Sequence, residues 1–92
     1  MERVELVIHN RVGLHARPAA VFVKTAGRFK SAINVCNLTT GSNLANAKSI
    51  LQVLALGVQK EHCIVVTAEG ADEAQAVGAL REAVEGCFGE TG

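Results

Sequence analysis

The apolar residues of this chain recur with two different periods, and the order in which these periods alternate most constrains its fold. Every second residue is apolar at Val4, Leu6 and Ile8, which predicts a strand with one buried face. After a polar loop, apolar residues three and four positions apart predict an amphipathic helix from Ala16 to about Gly27. A strand that leads into such a helix favours a mixed fold of strands and helices over an all-helical or all-strand fold.

The remaining segments follow the same two periods. They predict strands at Ile33–Val35 and Leu44–Asn46, a short helix from Ile50 to about Leu56, a buried strand at Cys63–Ala68, and a last helix with the apolar stripe Ala74, Val77, Leu80, Val84, Cys87 and Phe88. Ser49 and Gln52 have the spacing of a capping box, and Asp72 is the expected cap of the last helix. The order β-α-β-β-α-β-α predicts an α+β fold with three helices on one face of a mostly antiparallel four-stranded sheet.

Length and composition exclude several classes of protein. With 92 residues, the chain is expected to form a single domain over residues 1–92. Its apolar runs fall far short of the roughly 18 residues that cross a bilayer, and its first residues lack the apolar core of a signal peptide, so we expect a cytoplasmic protein without membrane insertion. Cys36, Cys63 and Cys87 match neither a disulfide framework nor a zinc spacing; we expect reduced thiols and no metal site.

Charge is distributed unevenly along the chain. No acidic residue occurs between residues 6 and 60, whereas the rest of the chain carries nine acidic residues against two basic ones. The acid-free part contains seven basic residues: Arg11, Arg17, Lys24, Arg28, Lys30, Lys48 and Lys60. If the fold collects them, they form a basic docking surface. Because the only aromatic residues are Phe22, Phe29 and Phe88, at helical positions, we expect a protein or phosphate partner and no nucleic acid.

The segment from Gly13 to Ala19 places His15 where a loop turns into the first helix. The first-turn amides, which include those of Ala16 and Arg17, have no intrahelical acceptor, and the helix dipole is positive there, so a phosphoryl group would be stabilised. The same field favours a neutral, nucleophilic imidazole. Arg17 adds a planar fork of donors for phosphoryl oxygens. The alternative is that His15 only caps the helix.

The segment Gly13-Leu14-His15-Ala16-Arg17-Pro18-Ala19 resembles the active-site motif of the HPr family, the histidine-containing phosphocarriers of the bacterial phosphoenolpyruvate-dependent sugar phosphotransferase system. The similarity continues at Ala47-Lys48-Ser49-Ile50, at Leu56-Gly57, and at Ala68-Glu69-Gly70 and Asp72-Glu73. It implies an open-faced β-sandwich with the element order predicted above. It also implies that enzyme I phosphorylates His15 on Nδ1, that Arg17 assists, and that the group passes to IIA proteins or domains, without a cofactor.

Ser49 is open to two interpretations, which are compatible. As a helix cap it would contribute about 1 kcal/mol to stability. The resemblance also matches it to the serine that HPr kinase/phosphorylase modifies in some relatives, which implies regulatory phosphorylation and a transcriptional regulator as a further partner. Phosphorylation there would repel an acidic partner.

The short second helix is expected to contribute to partner docking. Ile50, Leu51 and Leu54 would ordinarily pack in the core, but so short a helix cannot bury every side. We expect one or two of them to remain exposed, and a small exposed apolar patch suits docking. The resemblance implies that this helix contacts enzyme I and IIA. Lys24 and Lys48 are candidate charges at the rim of that surface, with a purely solvated role as the alternative.

Three hypotheses of function follow. The first is a phosphocarrier for sugar uptake, which carries a covalent phosphohistidine and is not a turnover enzyme by itself. The second is a regulatory HPr-like phosphocarrier that is not coupled to transport, and the third is a small α+β binding module without phosphotransfer. A monomer would most simply serve successive partners. The segment from Ser31 to Lys48 is longer than expected of the family, with Thr39 to Asn43 as the extra hairpin length, which leaves the register of the third strand open.

Overall fold

Four strands form one antiparallel sheet in the computed structural model of the chain, which describes residues 1–89. They are β1 (Glu2–Val7), β2 (Ala32–Asn37), β3 (Ala45–Asn46) and β4 (Cys63–Glu69), in the spatial order β1-β4-β2-β3. The helices are α1 (Ala16–Ala26), α2 (Ile50–Ala55) and α3 (Glu73–Glu85), followed by a 3₁₀ turn at Cys87–Gly89. The predicted α+β class, element order and antiparallel sheet are confirmed.

The register of the three long strands separates the two faces of the sheet. Val4 is opposite Val66, which is opposite Val35, and all three are buried in the core. The next row belongs to the other face, where Glu5 is exposed and Cys36 is half-buried. Because side chains alternate along a strand, each strand presents one face to the helices and one away from them. α3 packs against β1 and β4, and α1 packs against α2 and α3.

The third strand is shorter than predicted and its register is now defined. Only Ala45 and Asn46 pair with β2, opposite Val35 and Asn34, while Leu44 is exposed. The long connection before it folds back onto Asn37, whose carbonyl accepts hydrogen bonds from the amides of Gly41 and Ser42, each at 3.0 Å. The segment from Thr39 to Asn43 therefore forms a turn anchored at the end of β2.

The last helix departs from its prediction at both ends. Ala74 is exposed and Ala76 is buried in its place, because the buried stripe of α3 runs through Ala76, Val77, Leu80 and Val84. α3 ends at Glu85, before Gly86, so Cys87 and Phe88 lie beyond the helix with positive φ angles of 52° and 55°. Phe88 is nevertheless buried, and its ring centroid lies 6.5 Å from that of Phe22 on α1.

The prediction that the Asp72 side chain caps α3 is wrong. Asp72 occupies the cap position, but its carboxylate makes no capping hydrogen bond to the helix. Instead it accepts hydrogen bonds from the Lys30 amide, the Ser31 amide and the Ser31 hydroxyl, all in the connection between α1 and β2. Three donors that would otherwise need water converge on one charged acceptor, and charge-assisted bonds are the stronger ones. Asp72 therefore ties the start of α3 to that connection.

We expect Asp72→Ala to lower the free energy of unfolding by more at pH 7 than at pH 3. The Ser31 hydroxyl and then the Lys30 amide hold the pKa of the Asp72 carboxyl below its usual 3.8. Since the folded-state pKa is the lower one, these bonds stabilise the fold above the unfolded pKa, and that stability is lost as the pH falls through the folded pKa. Chemical denaturation of both proteins at the two pH values measures the difference. Glu82→Ala, at an exposed position on α3, is the matched control, and an Asp72→Ala effect independent of pH would contradict the assignment.

Within residues 1–89, no helix is both long enough and apolar enough to cross a membrane.

Candidate functional site

His15 lies at the point where the chain enters α1. Its side chain is exposed, its backbone is extended (φ −83°, ψ −166°), and its carbonyl accepts the first hydrogen bond of the helix, from the Ala19 amide at 2.9 Å. The imidazole makes no capping hydrogen bond to the first turn. The interpretation of His15 as a side-chain cap is therefore not supported, and the residue is exposed at a helix start.

Two backbone amides beside His15 point away from the body of the helix. Ala16 and Arg17 lie in the first turn of α1, so no carbonyl of the helix accepts from their amides, and Pro18 has no amide hydrogen. The first turn contains no acidic residue, so nothing in that turn opposes the positive end of the helix dipole. A phosphoryl group on the imidazole would thus meet two donors and a favourable field.

Arg17 and Lys24 lie on the same exposed stripe of α1. They are seven residues apart, which is about two turns and roughly 10 Å along the axis. Both side chains are exposed, and within residues 1–89 no carboxylate is within ion-pair distance of the Arg17 guanidinium. Its donors are therefore available to an incoming anion, and Lys24 extends the positive charge along the helix.

The turn before His15 is held from two sides. The Asn10 side chain is buried and donates from Nδ2 to the Gly13 carbonyl at 2.6 Å, while the Gly13 amide donates to the Asn10 carbonyl at 3.1 Å. The Leu14 amide then donates to the carbonyl of Val58, in the connection between α2 and β4, at 2.9 Å. Leu14 is buried, so the residue before His15 is fixed by its backbone and by its side chain.

His15 borders an open groove of about 330 Å³, which we call the His15 groove. It is lined by Val12, Leu14, His15, Leu54, Gly57, Val58 and Gln59. The structure therefore brings Leu54, a predicted docking residue, to the same depression as the predicted phosphorylation site. The wall formed by Gly57, Val58 and Gln59 was not singled out from the sequence as part of the site; Gly57 entered as part of a segment that resembles the HPr family.

The apolar side chains of α2 are distributed as docking would require. Val53 is fully buried, whereas Ile50, Leu51 and Leu54 are 36%, 77% and 37% exposed. The sequence argument expected one or two exposed apolar residues, and all three are exposed. Their contact with a partner stays a prediction.

The family model for the PTS HPr component phosphorylation site matches residues 3–86. The chain belongs to the HPr family. It is 39% identical over 90 residues to the phosphocarrier protein HPr of Neisseria meningitidis serogroup A, with 98% of each chain covered. It is also 44% identical over 86 residues to a multiphosphoryl transfer protein of Escherichia coli O157:H7, covering 94% of this chain and 23% of that one. The chain thus spans about a quarter of that longer relative.

Solved structures agree with this assignment. The crystal structure of HPr-C-His from Thermoanaerobacter tengcongensis is 44% identical and matches with a TM-score of 0.92 over 99% of both chains. A crystal structure described as an HPr dimer from the same organism matches with a TM-score of 0.76, covering 98% of this chain and all of that one. The HPr fold is therefore shown, and the monomer expected from the sequence stays a prediction.

Two further predicted residues of this HPr-family chain have structural roles. Ser49 is half-buried and caps α2, because its hydroxyl oxygen accepts from the Gln52 amide at 3.3 Å. The second half of the predicted capping box is absent from this turn, since the Gln52 side chain accepts from the Asn46 amide at 2.8 Å instead. Lys48 is half-buried and its ammonium donates to the Phe29 carbonyl at 2.7 Å, so it ties the segment before α2 to the connection between α1 and β2.

The three cysteine thiols are free and half-buried. Among residues 1–89, no three His, Cys, Asp or Glu side chains form a group that could hold a metal ion.

Proposed function

We propose that this chain is a phosphocarrier of the phosphoenolpyruvate-dependent sugar phosphotransferase system. In this proposal Nδ1 of His15 accepts a phosphoryl group from enzyme I in the cytoplasm and passes it to IIA proteins or domains. The observation that carries the proposal is the exposed His15 ring at the start of α1, next to the amides of Ala16 and Arg17. Membership of the HPr family supports it.

In this proposal each group at the start of α1 has a part in the transfer. The unprotonated Nδ1 attacks phosphorus, and the bond between phosphorus and its donor on enzyme I breaks as the P–N bond forms. Because phosphoryl transfer relies on positioning and on stabilising the charge of the equatorial oxygens, the Ala16 and Arg17 amides and the Arg17 guanidinium are the proposed stabilising groups. The reverse sequence of bond changes delivers the group to the acceptor.

The surface around His15 suits successive protein partners. Ile50, Leu51 and Leu54 offer exposed apolar area, and Lys24 contributes charge at the rim. Protein interfaces combine an apolar centre with a polar rim, and partners with acidic surfaces would be attracted. We propose that enzyme I and IIA bind over this same face in turn, which a monomer allows; sedimentation measurements would test that state.

The decisive experiment incubates the wild-type chain with phosphoenolpyruvate and enzyme I. We expect a mass increase of one phosphoryl group that is labile in acid and stable in base, and its loss when IIA is added. No adduct would refute the proposal. An adduct that IIA does not discharge would instead support the regulatory phosphocarrier of the second hypothesis.

We expect Arg17→Ala to slow phosphoryl acceptance about tenfold, because a hydrogen bond to a charged group contributes about 1.5 kcal/mol and each 1.4 kcal/mol is a factor of ten. Arg17→Lys should recover only part of the rate, since an ammonium lacks the planar fork. Rapid-quench measurement of acceptance from phosphorylated enzyme I checks both. Arg81→Ala, at an exposed position on α3, is the control and should react at the wild-type rate. Equal rates for Arg17→Ala and wild type would remove Arg17 from the mechanism.

Ser49 is the proposed site of a regulatory modification. Its position at the start of α2, one residue before the exposed Ile50, would place a phosphate dianion beside the apolar docking patch. We propose HPr kinase/phosphorylase as the modifying enzyme and a transcriptional regulator as the reader. The kinase and ATP should add a phosphate to the wild-type chain and none to Ser49→Ala; an unmodified wild type, or equal modification of both, would contradict this proposal.

A further inference from the structure

The wall of the His15 groove belongs to the connection between α2 and β4. The His62 side chain lies in the same connection and forms a hydrogen-bonded turn with the last residue of the wall. His62 follows this wall by three residues, and its amide donates to the Gln59 carbonyl at 3.0 Å. In the same turn the Gln59 amide donates to Nδ1 of His62 at 3.1 Å. The backbone amide and the side chain of His62 therefore both form hydrogen bonds with the backbone of Gln59.

The protonation of the His62 ring follows from its partners. A backbone amide can only donate, so Nδ1 of His62 accepts from Gln59 and carries no proton, which leaves the proton on Nε2 of a neutral ring. The Asn37 side chain contacts the same nitrogen, with Nδ2 at 3.1 Å from Nδ1, and it must donate there as well. One imidazole nitrogen thus serves two donors from different parts of the chain.

Asn37 provides a rigid anchor for this arrangement. It is fully buried at the end of β2. Its Nδ2 also donates to the Leu56 carbonyl at 3.2 Å, and its Oδ1 accepts from the Thr40 amide at 3.3 Å, which sets the orientation of the amide. The connection after α2 is consequently fastened to the sheet at Leu56 and at His62, on either side of the groove wall.

The groove wall also contacts the turn that precedes His15 and holds it in place. The Val58 carbonyl accepts the Leu14 amide, and a Cβ added to Gly13 would lie 2.3 Å from that carbonyl oxygen and 2.6 Å from Cα of Gln59. The two backbones are therefore in direct contact. A shift of Gln59 would be transmitted to Leu14 and to the imidazole next to it, and a misplacement of about 1 Å can cost up to about a hundredfold in rate.

We propose that His62 is a positioning residue for phosphoryl transfer at His15, acting through Gln59 and Val58 as a neutral hydrogen-bond acceptor. The inference rests on the proposed function. According to this proposal, phosphoryl transfer at His15 requires a hydrogen-bond acceptor at the position of the His62 Nδ1 atom. It does not require that this acceptor be an imidazole.

The test compares two substitutions at this position. His62→Leu removes the acceptor and should slow acceptance from phosphorylated enzyme I about tenfold, which corresponds to about 1.4 kcal/mol. His62→Asn places a side-chain oxygen close to the former Nδ1 and should restore the rate to within about twofold. Val84→Ala on α3, which removes buried core volume, is the stability control: it should lower the unfolding midpoint without slowing transfer. Wild-type rates for His62→Leu, or no recovery in His62→Asn, would overturn the proposal.

Nuclear magnetic resonance provides a second measurement that does not depend on phosphotransfer. In the wild-type chain, the nitrogen shifts of the His62 ring should show the Nε2–H tautomer at neutral pH, and the Leu14 amide should exchange at least tenfold faster in His62→Leu than in His62→Asn. An Nδ1–H tautomer would overturn the inference. Failure of the wild type to accept a phosphoryl group would refute the proposed function, while these two readouts would still decide whether His62 holds the turn.

Discussion

Replacing His15 with alanine should abolish the phosphoryl adduct altogether, while leaving the fold intact. The side chain is exposed, so its removal creates no cavity in the core. The nucleophile, by contrast, has no substitute at this position. Intact-protein mass spectrometry after incubation with phosphoenolpyruvate and enzyme I measures the adduct, and circular dichroism establishes that the variant is folded.

His9→Ala is the matched control for that experiment. The His9 side chain is also exposed, at 60%, and lies 3.8 Å from the Glu61 carboxylate, so it is a histidine of comparable accessibility in a different electrostatic setting. It should carry the adduct at the wild-type level. An undiminished adduct on His15→Ala would place the phosphoryl group elsewhere and remove the basis of the proposed function.

The start of α1 could be predicted from the sequence because its determinants are local. Pro18 belongs in a first turn, where a missing amide hydrogen costs nothing, and the apolar spacing after it defines the buried side of the helix. Those two features place His15 before the first turn without knowledge of any distant residue. The same holds for Ser49, whose capping role depends on the residue three positions later.

The groove wall could not be predicted in this way, because it depends on contacts between distant parts of the chain. The hydrogen bond from Leu14 to Val58 joins two irregular segments, and neither segment has a hydrophobic period that would reveal the other. Asp72 is a second example, in which distant residues overturn a prediction made from local sequence. Its position before a helix favours a cap, but donors at Lys30 and Ser31 compete for its carboxylate, and only the packed structure brings them within reach.

The fold class was more predictable than the ends of its elements. Alternation along β1, β2 and β4 identifies the buried face, and a sheet with one buried face needs helices to cover it. The end of α3 depended instead on Gly86, after which Phe88 returns to the core from a left-handed backbone conformation. A helical period that includes Phe88 predicts its burial correctly and its secondary structure incorrectly, because burial does not specify the backbone between two core residues.

Gly13→Ala should be the most damaging small substitution near the site, lowering both stability and phosphoryl acceptance. Gly13 has φ +66°, which costs a non-glycine residue about 1 kcal/mol, and its added Cβ would lie 2.3 Å from the Val58 oxygen. Since that neighbour is backbone, the two loops must separate and strain the Leu14 hydrogen bond, for a total of about 3 kcal/mol in unfolding free energy.

Gly41→Ala, with φ +72° and no atom within 4 Å of the new Cβ, should lose only about 1 kcal/mol and keep the wild-type acceptance rate. Equal losses for the two variants in chemical denaturation would show that the contact between the loops does not hold His15 in place.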